Sequence, residues 1–107
     1  MKGTIKSKAD VERLFQRGRR SSSSLMTVII YENGGLPVRY AFIAGKKLGC
    51  APFRNRCKRV MRDAVRLLDL PVVGYDIAFV ARRRVGHASQ GEIVTQMSQS
   101  LSKLGVM

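Results

Sequence analysis

Six cationic side chains lie within the fourteen residues 53–66, FRNRCKRVMRDAVR, and five of the six are arginine. The planar guanidinium group binds phosphate oxygens in a bidentate manner and stacks on nucleobases, which a lysine ammonium does less well. Apolar residues alternate with the cations at helical spacing. The stretch therefore predicts a helix that carries a phosphate-binding face.

Helical geometry separates the two kinds of side chain. At 100° per residue the cations spread over an arc of roughly 200°, and the apolar residues fill the rest of the circumference. The cations are Arg54, Arg56, Lys58, Arg59, Arg62 and Arg66, and the apolar stripe is Phe53, Cys57, Val60, Met61, Ala64, Val65, Leu67 and Leu68. Like charges four residues apart destabilise a helix slightly. A face of nearly one sign therefore favours a partner of opposite charge over a merely solubilising role.

The whole chain shares this bias, with a formal net charge of +13 over 107 residues. This length fits a single domain, residues 1–107. The excess charge attracts polyanions, nucleic acid in the first place and anionic lipid in the second. The sequence has neither a signal peptide nor the roughly 18 consecutive apolar residues of a membrane span, and the basic helix has no free apolar stripe to enter lipid. We therefore expect a cytoplasmic nucleic-acid-binding protein.

Residues suited to protein-based catalysis are sparse. The seven acidic residues include no close pair resembling a metal-binding dyad, and His87 is the single histidine. Cys50 and Cys57 match no zinc or redox spacing, so we expect both to be small buried hydrophobes. The "GKK" at 45–47 lacks the remaining residues of a phosphate-binding P-loop. The sequence predicts no catalytic residue, metal ligand or cofactor site in the protein alone.

The remaining elements follow from periodicity and turn residues. A first helix opens with Ser7 and Asp10 in capping-box spacing and ends at Gly18, and a last helix opens with Ser89 and Glu92. The pattern predicts two strands of a hairpin at residues 25–31 and 39–45. It predicts a helix at 53–70 that Pro71 ends, and a further strand at 75–83. The serines 21–24 are interpreted as a loop leading into the first strand. The order αββαβα predicts an α+β sandwich with helices on a mixed sheet.

The stretch GKKLGCAPFRNRCKRVMRD, residues 45–63, resembles the RNR signature of the bacterial ribonuclease P protein subunit, roughly K-K-x-G-x-A-V-x-R-N-R-x-K-R. YDIAFVAR at 75–82 and the Phe15 to Gly18 ending of the first helix also match the family pattern, so that the similarity covers roughly residues 8–104. Pro52 replaces the usual valine, and Gly45 a common serine. Neither departure removes a charge.

This resemblance implies an α-β sandwich like the second domain of ribosomal protein S5, with a left-handed βαβ crossover where general rules favour a right-handed one. It also implies a function. The subunit joins a catalytic RNA that removes the 5′ leader of precursor tRNA, and the RNA performs the chemistry with Mg²⁺. The protein alone is expected to be monomeric and to bind no cofactor.

The resemblance further implies two binding surfaces. The catalytic RNA is expected to contact Lys46, Lys47, Arg54, Asn55, Arg56, Lys58, Arg59 and Arg62, a set named the RNR surface below. The single-stranded leader is expected in a cleft between the first helix and the open sheet face, at Phe15 with Val11, Ile29 and Phe42. Two alternatives remain open: a generic RNA- or DNA-binding module, and for Phe15 a plain core position. A helix-turn-helix reader is disfavoured by the strands on both sides of the basic helix.

Overall fold

The computed structural model describes residues 3–5, 7–68, 70 and 73–106. Three α-helices pack on one five-stranded sheet. The elements are β1 (Gly3–Thr4), α1 (Lys8–Arg17), β2 (Arg19–Ser22), β3 (Met26–Pro37), β4 (Arg39–Ile43), α2 (Ala51–Leu67), β5 (Val73–Ala81) and α3 (Gln90–Lys103), with 3₁₀ helices at Lys46–Leu48 and Arg83–His87. The expected order αββαβα is confirmed for the long elements. Strands β1 and β2 were not predicted.

The sheet has the order β1-β4-β5-β3-β2, with β5 in the middle. Strand β5 runs antiparallel to β3 and parallel to β4. The expected hairpin between β3 and β4 is therefore wrong, because these consecutive strands lie on opposite sides of β5. The parallel pair β4 and β5 is joined through α2, as the βαβ unit requires. The left hand of this crossover stays a prediction.

The true hairpin involves the serines. Strand β2 pairs antiparallel with β3, with Ser21 opposite Val28 and Ser22 opposite Thr27. The hydroxyls of Ser22 and Thr27 lie 3.0 Å apart, and Ser23 closes the turn by donating its backbone N–H to the carbonyl of Met26 at 2.9 Å. The prediction of a loop at the serines is therefore wrong for Ser21 and Ser22, which lie in β2, and correct for Ser23 and Ser24, which lie in the turn.

The helix termini follow the capping residues. Ser7 accepts a hydrogen bond from the backbone of Asp10, and the capping box of Ser89 and Glu92 is complete. Helix α2 begins at Ala51 and has Pro52 in its first turn, just before the periodic stretch that starts at Phe53. It ends at Leu67, earlier than the predicted residue 70. Pro71, the expected terminator, lies outside the described residues.

The two faces of the sheet carry separate cores. Helices α2 and α3 cover one face, where Met61, Met97 and Phe79 are fully buried. Helix α1 crosses the other face and buries Leu14 against Ile29, in a smaller cluster completed by Ile5, Ala41 and Ala78. These packed layers confirm the α+β sandwich. Helix α1 covers the second face less fully than α2 and α3 cover the first, since several apolar residues there stay half-buried.

A polar network attaches α1 to the sheet. Arg39 on β4 donates from Nε and Nη2 to the buried carboxylate of Asp76 on β5, at 3.0 and 2.6 Å, and from Nη1 to Asp10 on α1 at 3.1 Å. Asn33 adds a hydrogen bond to Asp76 at 3.1 Å. The bonds to Asp76 raise the pKa of the Arg39 guanidinium, because they stabilise its charged form. No local sequence pattern predicts this network, because Arg39 and Asp76 are 37 residues apart.

Gly18 is required where α1 turns into β2. A Cβ atom there would lie 2.5 Å from the carbonyl oxygen of Leu14 and 2.6 Å from the side chain of Ile29. We expect Gly18→Ala to lower the free energy of unfolding by about 1–3 kcal/mol, the usual cost of overpacking. Urea denaturation followed by circular dichroism measures this. Gly45→Ala is the control, because a Cβ there meets nothing within 4 Å, and equal losses in both variants would contradict the assignment.

Candidate nucleic-acid interface

Helix α2 presents the two faces that its periodicity predicts. Cys57, Met61, Ala64 and Val65 are buried against the sheet and α3, whereas the six cations lie on the exposed and half-buried arc. Leu67 is an exception to the predicted apolar stripe, since 61% of its surface is exposed at the last turn. The solvent-facing side of α2 therefore carries all six cations, together with uncharged residues such as Asn55 and Leu67.

Two cations of the RNR surface are held by contacts to other elements. The guanidinium of Arg62 lies 5.4 Å from the centroid of the Phe42 ring on β4, a cation-π contact. Arg56 donates from Nε to the carbonyl of Gly86 in the second 3₁₀ helix, at 2.9 Å. These contacts orient the guanidinium groups without neutralising their charge. No sequence pattern predicts the Gly86 contact, because 30 residues separate the partners.

Counter-charges on this face are few. Within the described residues, α2 makes one salt bridge, between Arg66 and Asp63 at 3.3 Å, and both side chains are largely exposed. Such exposed pairs stabilise little. Since Arg66 lies outside the RNR surface, the described structure offers the expected RNA-binding cations no carboxylate partner. Their charge is available to a polyanion.

Lys46 and Lys47 continue the cationic surface before the helix. Both are exposed in the 3₁₀ helix Lys46–Leu48. Gly49 then adopts φ of 125°, a conformation that favours glycine, and leads into Cys50 at the N-cap of α2. The two lysines and the first turn of α2 thus belong to one continuous stretch of surface, as expected for the RNR surface.

The cysteines differ in environment. Cys57 is buried as predicted, and burial raises the pKa of its thiol, so that it stays protonated. Cys50 is exposed, which contradicts its expected burial. The reason is its place at the N-cap, before the first turn of α2, whose first buried side chain is Cys57.

This difference supplies a chemical probe of the RNR surface. We expect iodoacetamide at pH 8 to alkylate Cys50 in the folded protein and to leave Cys57 unmodified, because the thiolate of an accessible cysteine is the reactive species. Mass spectrometry of tryptic peptides locates the adduct, and both sites should react in urea as a control. Bound catalytic RNA should slow the reaction at Cys50. Unchanged reactivity with saturating RNA would show that this end of α2 stays uncovered.

The four residues expected in the leader cleft do not form one surface. Phe42 lies on the face covered by α2, in ring contact with Phe79 at a centroid distance of 5.6 Å. Ile29 is fully buried beneath α1 on the other face. Neither residue can contact a bound RNA strand together with Val11 and Phe15. The expected leader-binding set is therefore wrong for Phe42 and Ile29. Strand alternation places residues 42 and 43 on opposite faces, so Ile43 takes the position assigned to Phe42.

Val11 and Phe15 remain candidates. Both lie on the same side of α1. Around the helix, buried Leu14 separates this side from Asp10, as the helical repeat requires. Phe15 is 37% exposed, and Val11 is half-buried against the sheet. Ile43 and Val80, cross-strand partners on β4 and β5, are half-buried on the same sheet face. An aromatic ring beside a half-covered apolar sheet can bind unpaired bases.

The described residues contain no group of three or more His, Cys, Asp or Glu side chains that could hold a metal ion. Within that part of the chain, no helix is both long and apolar enough to cross a membrane.

Comparison with known proteins decides the family. The family model described as Ribonuclease P matches residues 2–105. The chain belongs to the ribonuclease P protein family. The ribonuclease P protein component of Symbiobacterium thermophilum is 33% identical over 106 residues, which cover 96% of this chain and 91% of that protein. The solved RNase P protein of Staphylococcus aureus is 25% identical with a TM-score of 0.81, covering 96% of this chain and 95% of that one.

Family membership also gives the general function. Ribonuclease P protein components are part of the enzyme that processes the 5′ leader of tRNA, and they work with its RNA subunit. This chain therefore acts as the protein component of a ribonucleoprotein, and the predicted resemblance is confirmed. The similarity of fold to solved RNase P proteins extends over nearly the whole chain.

Proposed function

We propose that this chain binds the catalytic RNA of ribonuclease P through the RNR surface. The observation that carries the proposal is the cationic face of α2, where the cations of the RNR surface have no carboxylate partner within the described residues. Arginines held by Phe42 and Gly86 lose less conformational freedom on binding than unrestrained ones. Each cation that neutralises a phosphate releases counterions, so binding weakens steeply with salt.

The second part of the proposal is that the 5′ leader of precursor tRNA crosses the sheet face beside α1. Phe15 would stack on an unpaired base, and Val11, Ile43 and Val80 would form the apolar floor. Stacking tolerates different bases because each has a π-face. This suits an enzyme that acts on precursors with many leader sequences.

The protein then contributes positioning and charge, while the RNA performs the chemistry. The cations lower the repulsion between two polyanions, and the leader contact adds binding energy near the scissile phosphate. The described carboxylates do not form a metal site, and Asp10 and Asp76 are already engaged by Arg39. We further propose that the magnesium ions are held mainly by the RNA. We place the chain in the cytoplasm as a monomer that joins this RNA.

The direct test is cleavage of a precursor tRNA by a bacterial ribonuclease P RNA at low magnesium concentration, with the protein present, absent and alone. The expected result is efficient cleavage with both components, little with RNA alone and none with protein alone. Stimulation should disappear at high salt as the complex dissociates. Without stimulation of matched RNAs, the chain would be a generic RNA-binding module and the proposal would fail.

The leader contact makes a separate prediction. Phe15→Ala should weaken binding of leader-bearing precursor to the holoenzyme by about 1–3 kcal/mol, the usual cost of losing one stacked base. Mature tRNA should bind as before, which fluorescence titration of both RNAs measures. Leu36→Ala is the control, since Leu36 is another exposed apolar residue, 56% exposed at the end of β3. Equal losses for precursor and mature tRNA would rule out the leader contact.

A further inference from the structure

A hollow of about 280 Å³ opens at the start of α2. Its volume is close to the lower end of the range for small-ligand sites, about 300–1,000 Å³. Its lining combines two rings, an arginine, a thiol and a short apolar stretch: Phe53, His87, Arg83, Cys50, Leu48 and Gly49. Cys50 and Phe53 belong to the cap and the first turn of α2, and the other lining residues come from the two 3₁₀ helices and Gly49. The hollow therefore lies where the two 3₁₀ helices meet α2.

The aromatic side of the hollow is fixed in place. The rings of Phe53 and His87 lie 5.4 Å apart between centroids, tilted by 33°. Gly86 permits this contact, because a Cβ there would lie 2.5 Å from the Phe53 ring. The same glycine accepts the hydrogen bond from Arg56. The two rings are thus held by the same segment that orients a cation of the RNR surface.

One arginine contributes positive charge to the hollow. Arg83 lines it and donates from Nη2 to the carbonyl of Lys47 at 3.2 Å, which brings the guanidinium beside the lysine pair. Among the residues that the structure describes, no acidic side chain lines the hollow. An apolar, aromatic interior beside one arginine complements a nucleobase joined to phosphate. The neighbouring hollow, lined by Arg84, differs in this respect because Glu92 also lines it.

We propose that this hollow binds one unpaired nucleotide of the ribonuclease P RNA, with the base against Phe53 and His87 and a phosphate against Arg83. The inference rests on the proposed binding of that RNA to the RNR surface, with which the hollow is continuous through Lys47 and Cys50. An apolar peptide would carry no negative charge to pair with Arg83. The rings supply affinity that depends little on salt, and Arg83 supplies the electrostatic part.

The test uses the full-length chain bound to a bacterial ribonuclease P RNA transcript. His87 is exposed, so its replacement should leave folding intact, which circular dichroism checks. We expect His87→Ala to weaken RNA binding about tenfold with an unchanged salt slope, and His87→Tyr to restore it. Arg83→Gln should reduce the salt slope by about one, whereas Arg84→Gln, the matched control, should have a smaller effect.

Ultraviolet crosslinking of the same complex gives a second readout. The expected result is an RNA adduct on the peptides that carry Phe53 or His87, with less adduct in the His87→Ala complex. Unchanged affinity in His87→Ala, or adducts only elsewhere, would overturn the hollow as a nucleotide site. If wild-type binding still depends on Arg54 and Arg56, the proposed function survives that outcome. If the wild-type chain does not bind the RNA, both proposals fail together.

Discussion

Replacing Arg54 and Arg56 together with alanine is expected to weaken binding of the catalytic RNA by about 3 kcal/mol or more at moderate salt. The estimate assumes two lost charge-assisted hydrogen bonds, each contributing about 1.5–3 kcal/mol. The slope of log affinity against log salt should fall in magnitude by about two, one unit for each phosphate contact removed. Filter binding over a range of potassium concentrations measures both quantities.

A charge-matched control is Arg66→Ala with Lys103→Ala. Both residues are exposed, and Lys103 lies at the far end of α3, outside the RNR surface. This double variant removes the same net charge but should change the slope far less. If both double variants lose the same affinity for the catalytic RNA, net charge alone drives binding and the RNR surface has no specific role.

Arg39→Ala is expected to lower the free energy of unfolding by about 3 kcal/mol, because it leaves the buried carboxylate of Asp76 without its bidentate partner. The Asp76 side chain is 6% exposed, so water replaces the lost hydrogen bonds poorly. The same change removes the link from Asp10 to the sheet. Urea denaturation at pH 7 measures the loss.

Arg13→Ala supplies the comparison. Arg13 pairs with the same Asp10 at 3.1 Å, but its side chain is 48% exposed. Exposed pairs of this kind contribute about 0–1 kcal/mol. A similar small loss in Arg39→Ala would mean that Asp76 is satisfied by other groups and that the network does not attach α1.

The sequence predicted the local elements better than their arrangement. Residues 32–37, expected to form a turn, instead belong to β3, whose register with β5 shifts between Glu32 and Pro37. The chain reverses only between Pro37 and Arg39, and this reversal does not pair β3 with β4. Strand β5 inserts between them, and pairing over such a sequence distance has no local signal. One indication was present: the run Ile77 to Ala81 is apolar on both faces, which is typical of a central strand flanked by helices on both sides.

For the binding surfaces too, the sequence predicted local features but not contacts between distant segments. The cationic arc of α2 follows from helical periodicity alone, so the sequence predicted it. The leader cleft depended on which sheet face α1 covers. Alternation separates Phe42 from Ile43, but no sequence pattern says which of the two lies beneath α1. The contact of Gly86 with Arg56 joins segments 30 residues apart and was likewise beyond sequence reasoning.

The central position of β5 has a consequence for synthesis of the chain. Translation delivers β3 and β4 well before residues 73–81, and neither can find its main partner until that strand leaves the ribosome. During this interval two apolar segments have unpaired edges, which favours association with other chains. The sheet is therefore completed late, when β5 pairs with both strands. Folding should accordingly be slower than that of a meander of equal size.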